Sequence, residues 1–226
     1  MNKLGVSYDH IFSSDIDPEV VKTIRANQQP GTLYGDISER KVDEVPEVDL
    51  YTAGFPCQPF SLAGKKQGFW DEKGRGTLFF DIFNYLEKKQ PKAFILENVQ
   101  GITKLHGGTY TKAILKVLRS IRLPGGSRGQ AYEIHHQVLN TREHSVPQNR
   151  PRWYCVGIRR DTFQGESSTF AFPEPISPCP TIDLFLDEDS KVGTSGFDDL
   201  SSKAKARIRR LKQRTEGSSE TPYIGL

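Results

Sequence analysis

The residues Thr52-Ala-Gly-Phe-Pro-Cys-Gln-Pro-Phe-Ser61 hold a cysteine in a setting suited to a nucleophile. Val48-Asp-Leu-Tyr-Thr-Ala53 is a short, mostly apolar run that fits a buried strand, and Gly54, Pro56 and Pro59 forbid its continuation. Cys57 therefore falls on a rigid loop beyond a strand end, where a ligand can reach it. A lone cysteine also serves as packing material, so its neighbours must decide. Asp15, Asp36 and Glu97 also fall where strands are expected to end. In open parallel sheets ligands bind beyond the carboxyl ends of the strands, so residues at those ends converge in space. Any one such acid can instead be a helix cap or a loop charge. Four chemistry-bearing residues at successive strand ends are harder to explain that way.

The elements that must position these residues alternate. Tyr8 to Ser14 reads as a strand, and Pro18 opens a helix to about Gln28, as proline does in a first turn. The acidic turn Gly35-Asp36-Ile37 follows. Next come the strand before Cys57, a glycine-rich loop, a helix from Thr77 to Lys89 and a strand from Ala93 ending on Glu97. A helix over Tyr110 to Ile121 precedes two last strands, Tyr132 to Leu139 and Trp153 to Ile158. This alternation predicts an α/β fold with a parallel sheet covered by helices on both faces. After Asp161 the prolines of Phe170 to Pro180 exclude a central strand. The division expected is a catalytic domain over 1–161 and a second region over 162–226. In that second region Lys203 to Arg214 is helix-prone and basic, either a solvated helix or a phosphate-contacting one.

The chain has 226 residues, 35% hydrophobic and 26% charged, the balance of a globular protein with one sizeable core. A net charge of +3 permits a nucleic-acid partner without arguing for one. The 3 cysteines form no paired framework and no metal knuckle, which fits a reducing compartment and no metal site. No long apolar run suggests a membrane span, so a cytoplasmic location is expected, or a nuclear one in a eukaryotic host.

Four motifs carry a resemblance: Gly54-Phe-Pro-Cys-Gln-Pro-Phe-Ser61, Gly76-Thr-Leu-Phe-Phe80, Glu97-Asn-Val99 and Gln148-Asn-Arg-Pro-Arg152. In order and spacing they resemble the cytosine-5 DNA methyltransferase family over roughly residues 6 to 160. The resemblance implies a doubly wound Rossmann-like sheet, S-adenosylmethionine as cofactor and DNA as partner. It gives Cys57 the role of adding to carbon 6 of a flipped-out cytosine, so that carbon 5 becomes nucleophilic. Glu97 would bind the ring's N3 and exocyclic amine, and Arg152 the O2. Gln148 and Arg150 are similar to the family's supports of the catalytic loop.

On the cofactor side, Asp15 with Ile16 resembles the ribose-binding position and Asp36 with Ile37 the adenine-binding pair. Pro56 and Leu78 match further contacts. The loop from Ser61 to Gly76 has glycines to hinge and cations to meet phosphate, so Gln58, Ser61, Lys65, Lys66 and Arg75 are the expected DNA contacts. The bland alternative is an exposed surface loop.

The family's first motif, a strand followed by Phe-x-Gly-x-Gly, should precede residue 1, and with it a central strand of the sheet. The target-recognition region is only begun, and the closing asparagine motif is not found. Three accounts fit: a piece of a longer product, a split enzyme completed by another chain, or a relative kept as a nucleic-acid-binding or assembly module. A tRNA cytosine methyltransferase of the same fold is a further alternative.

Overall fold

A computed structural model describes residues 5–56, 78–125, 129–165 and 167–176, together with Ser202 and Lys205. It divides into two compact units, the first Met1–Leu139 with Pro151–Pro173, the second Asn140–Arg150 with Glu174–Leu226. Residue 161 lies inside the first unit.

Two strand-helix-strand units build the first part of the chain. Strand β1 (Phe12–Ser14) leads through helix α1 (Pro18–Asn27) to β2 (Thr32–Tyr34), and the strands pair in parallel with Phe12 opposite Thr32. Strand β3 (Leu50–Gly54) leads through helix α2 (Leu78–Lys89) to β4 (Ala93–Val99), again in parallel, with Gly54 opposite Glu97. Helix α3 (Thr109–Leu118) precedes β5 (Tyr132–Asn140) and β6 (Pro151–Arg159).

The four-stranded sheet has the order β3-β4-β6-β5, and β6 runs antiparallel to β4 with Leu96 opposite Cys155. The sheet is thus mixed rather than wholly parallel. Residues 141–150 are too few for a crossover helix, which a parallel return would need. β1 and β2 form a separate two-stranded sheet, and among the described residues no ladder joins it to the other four strands.

Side-chain spacing explains where the core lies. Helix α2 buries Phe79, Ile82, Tyr85 and Leu86, and α3 buries Thr111, Ile114, Leu115 and Leu118, each a stripe at helical period. Every second residue of β4, Phe94, Leu96 and Asn98, is buried. Fully burying one such large apolar side chain stabilises by about 1.5–3 kcal/mol. The buried phenols are satisfied: Tyr85 donates to Pro46 O at 2.7 Å and Tyr132 to Pro91 O at 2.8 Å. Burial holds both tyrosines in the neutral form by pushing their pKa up.

Helix α1 is different. Asp17 caps it by accepting from the Glu19 and Val20 N–H groups, yet none of its residues is buried. Val6, Tyr8, Ile11, Ile16 and Val20 are all exposed, at 38–72% of their full area.

Glu133 at the start of β5 is a buried carboxylate with a defined task. It accepts from the Ser168 N–H at 2.9 Å, from the Ser168 and Ser167 hydroxyls at 3.0 Å, and lies 2.7 Å from His135 Nε2. Burial by itself pushes its pKa up. The Ser168 N–H, the two hydroxyls and the imidazole overcome that and hold it down to about 2.

Two outcomes follow from this packing. Gly157 stands opposite Phe94, and a Cβ there would overlap the Phe94 ring. Gly157→Ala should therefore destabilise by about 1–3 kcal/mol in urea unfolding, and an unchanged midpoint would show that the ring moves aside freely. Because Glu133's folded pKa lies below its ordinary value of 4.5, its stabilisation is complete above that pH and is lost as pH falls toward 2. Proteolysis around Ser167 should rise over that window in the native chain, and Glu133→Gln should flatten the pH dependence.

Candidate active site

The chemistry gathers at the carboxyl ends of β3 and β4. Glu97 Oε1 accepts from Arg152 Nε at 2.8 Å, and the two side chains are 35% and 20% exposed. The pair is a product of register. Glu97 faces Tyr154 across the antiparallel ladder, so Arg152, two residues along β6, is its diagonal neighbour on the same face. A Cβ built on Gly54 would stand 3.2 Å from Glu97 Oε2, so only glycine leaves that carboxylate its full space.

Asn98, one residue on, points to the opposite face of β4 and is 1% exposed. Its amide donates to Phe55 O at 3.3 Å, and its Oδ1 accepts from the Val99 N–H at 2.8 Å. Phe55 is itself buried, with its ring 5.8 Å from that of Phe79. The strand end that leads to Cys57 is therefore tied to β4 by an amide and to α2 by an aromatic contact. Cys57, Gln58, Ser61, Lys65, Lys66 and Arg75 lie outside the described residues.

All six residues expected on the cofactor side, Asp15, Ile16, Asp36, Ile37, Pro56 and Leu78, line one groove of about 1230 Å³. Asp15 Oδ1 accepts from the Asp17 N–H at 2.8 Å, which turns this carboxylate toward the entry of α1. Asp36 Oδ1 accepts from the N–H of Ser38 at 2.9 Å and from its hydroxyl at 2.8 Å. Those bonds, the N–H foremost, lower its pKa and keep it ionised. Two acidic strand ends beside exposed Ile16 and partly buried Ile37 offer acceptors for hydroxyls and apolar surface for a ring.

Gln148 and Arg150 belong to the second unit. There Asn140 Oδ1 accepts from the Arg150 N–H at 2.9 Å, its Nδ2 donates to Asn149 at 2.8 Å, and the Thr141 hydroxyl donates to Gln148 O. The Gln148 and Arg150 side chains are exposed.

Two residues absent from the expected set help to shape this region. Asn98 has a signal in the sequence, because it is a polar residue at a position that alternation assigns to the core. Arg40 has none. Its guanidinium stands 5.3 Å from the Phe12 ring centre and 5.5 Å from that of Tyr85, and its Nε is buried without a hydrogen-bond partner. Cys155 is fully buried, and burial pushes its thiol up to about 12, so it packs and does not attack. Among the described residues no cluster of His, Cys, Asp and Glu could hold a metal, and no helix is long and apolar enough to cross a membrane.

The family model described as C-5 cytosine-specific DNA methylase matches residues 1–222. Type II methyltransferase M.HpaII of Haemophilus parainfluenzae is 41% identical over 210 residues, which cover 91% of this chain and 54% of that protein. Type II methyltransferase M.NlaX of Neisseria lactamica is 40% identical over 177 residues, 78% of this chain and 51% of that protein. The chain spans about half the length of the curated relatives it matches. Among solved structures, the Dnmt2 methyltransferase of S. pombe has a TM-score of 0.60 at 18% identity, covering 93% of this chain and 61% of that one, a likeness of fold.

The tie between β4 and the approach to Cys57 can be measured. Asn98→Ala leaves the buried Phe55 carbonyl without its donor, so stability in urea should fall by about 1–3 kcal/mol. Asn98→Leu losing less than about 0.5 kcal/mol would mean that the amide does not hold this strand end.

Proposed function

The chain belongs to the C-5 cytosine-specific DNA methylase family, and on that premise we propose that it carries the catalytic half of an enzyme that methylates carbon 5 of cytosine in DNA. The observation that supports this reading most directly is the Glu97–Arg152 pair, set against Gly54 three residues before Cys57. It sets a carboxylate and a guanidinium beside the strand end that leads to Cys57.

In this reading the base is flipped out of the duplex, because its reacting atoms are shielded while it is stacked. The Cys57 thiolate forms a bond to carbon 6, and the displaced π electrons make carbon 5 a nucleophile. Glu97 hydrogen-bonds N3 and the exocyclic amine, and gives N3 a proton as negative charge builds on the ring. Arg152 orients Glu97 and presents its remaining N–H groups to the O2 of the base. S-adenosylmethionine, when bound, would supply the methyl group. Asp15 and Asp36 would accept from its hydroxyls and amine, and Ile16, Ile37, Pro56 and Leu78 would pack on its rings. Once carbon 5 is substituted, its proton leaves, the bond from sulfur to carbon 6 breaks, and the thiolate is regenerated.

Gln148 and Arg150 would brace the catalytic loop, and Gln58, Ser61, Lys65, Lys66 and Arg75 would meet the DNA. The division into a catalytic domain over 1–161 and a region that begins target recognition belongs to the same proposal. The curated relatives extend beyond the matched half, so the test supplies their unmatched segments.

A duplex containing 5-fluorocytosine tests the reading, because fluorine cannot leave as the proton does and the adduct persists. The chain is combined with the segments of a type II relative that lie outside the matched half, S-adenosylmethionine and labelled DNA. A covalent adduct mapped to Cys57, and lost in Cys57→Ala, is expected. No adduct, an adduct at another residue, or methylation of tRNA in preference to duplex DNA would overturn it.

A further inference from the structure

One flank of the first unit carries charge that the site does not use. Between Glu97 and Glu133 the chain has no acidic residue, whereas Lys104, Lys112, Lys116, Arg119, Arg122 and Arg128 all fall there. Six cations against a chain total of +3 leave −3 for all the other residues. The described part of this excess lies on helix α3 and on the turn that leads to it.

The helix carries its charge in a row. α3 buries Thr111, Ile114, Leu115 and Leu118, which leaves Lys112, Lys116 and Arg119 exposed. At 3.6 residues per turn these three fall within an arc of about 60°, and they span roughly 10 Å along the axis. Lys104 precedes the row: it closes the turn Gln100–Thr103, which the Thr111 hydroxyl ties to α3 by donating to Ile102 O at 2.9 Å. At the other end the Gln90 amide, just before β4 begins, donates to Arg122 O at 2.7 Å. The row therefore starts at the carboxyl end of β4 and runs back toward its amino end, away from the Glu97–Arg152 pair.

The chain supplies no counter-charge for it. Lys22, Lys41, Lys88 and Lys92 each lie 2.7–3.1 Å from a carboxylate oxygen, but among the described residues Lys104, Lys112, Lys116 and Arg119 have no such acid. Like charges three and four residues apart repel and weaken a helix, so the row is not there for the stability of α3. The helix dipole favours Lys116 and Arg119 near the carboxyl end, and does nothing for Lys112 or Lys104. A partner with negative charge would remove the repulsion. Among the described residues α3 exposes no large apolar side chain, which a membrane surface would need, and no ring on which unpaired bases could stack. Duplex DNA needs neither. Its phosphates rise by about 3.4 Å per strand, so a row of roughly 10 Å spans about three of them.

We propose that Lys112, Lys116 and Arg119, with Lys104 before them, form a second contact for duplex DNA, on the flank of the first unit, which holds the phosphate backbone without reading its sequence. The contact takes DNA outside the segment that presents the target base. Neutralising about three phosphates releases their counterions and raises the concentration of duplex around the strand-end site. The choice of DNA over other polyanions rests on the catalytic reading above.

The test uses the purified full chain and a labelled duplex of A·T pairs alone, which offers no cytosine, with binding followed by fluorescence anisotropy between about 50 and 200 mM salt. Lys112→Gln, Lys116→Gln and Arg119→Gln together should weaken binding by about tenfold or more at the low-salt end and reduce the slope of log K against log salt by about 2–3. Glutamine is a good helix former, so the circular dichroism should stay that of the parent. Lys22→Gln, Lys41→Gln and Lys88→Gln together remove the same charge from paired lysines and should keep the parent slope. So should Lys112→Arg, Lys116→Arg and Arg119→Lys together, which keep the charge of the row. A parent that does not bind the duplex, an unchanged slope in the α3 variant, an equal loss in the paired-lysine variant, or tighter binding of single-stranded DNA or tRNA than of duplex would overturn the proposal. Because the duplex holds no cytosine, the result does not depend on Cys57. A chain that binds through α3 yet forms no fluorocytosine adduct keeps this contact and loses the catalytic reading, and one that forms the adduct with an unchanged slope loses the contact alone.

Discussion

Arg152 can reach Glu97 only because β6 is inserted antiparallel beside β4, and the candidate site depends on that direction. In a parallel neighbour the same two residues would lie at opposite ends of their strands. The reversed strand brings its first residues to the last residues of β4, where ligands gather in an α/β sheet. The core is arranged to keep this crossing fixed. Trp153, Cys155 and Val156 of β6 are buried, and Gly157 gives way to the Phe94 ring on β4. The ring in turn meets Tyr132 of β5 at 5.0 Å. A pair that is one-fifth to one-third exposed thus rests on a strand crossing that is almost wholly dry.

The other side of the first unit is organised differently. There the strands are short, α1 buries nothing, and the two-stranded sheet meets the rest through the rings of Phe12, Tyr51 and Tyr85 rather than through a ladder. Side-chain contact holds β1 near β3 without using the backbone of either edge. This contrast puts Asp15 and Asp36 on the sparsely buried half of the unit and the Glu97–Arg152 pair beside the densely buried half.

Much of this was legible in the sequence, for identifiable reasons. Helices α1 and α2 carry their own start signals or apolar stripes, and the observed bounds lie within a residue or two of the expected ones. β4 was legible as an apolar run, though it continues past Glu97 to Val99. The expected strand from Tyr8 shrinks to Phe12–Ser14, because alternation in sequence does not reveal whether a partner strand exists on each side. The strand β2 is implied only by Asp36 beyond its end and has no range of its own in the sequence, since Thr32-Leu-Tyr34 is too short for any period to show. β6 was legible as a strand over Trp153 to Ile158, but its antiparallel direction was not, because direction is set by connection length and packing and not by local residue type. For the site, the acids at strand ends and Arg152 could be named from motif and spacing. The diagonal contact between Glu97 and Arg152, the space at Gly54 and the tie from Asn98 to Phe55 depend on register.

Cys155 gives this arrangement an internal reporter. It sits on β6 directly opposite Leu96, one residue from the position that faces Glu97, and its thiol is both covered and protonated. Reagents that consume thiolates can reach it only when β4 and β6 part. The rate at which it becomes labelled is thus a clock for the opening of the crossing that sustains the Glu97–Arg152 pair, and it runs whether or not a cofactor, a partner or DNA is present.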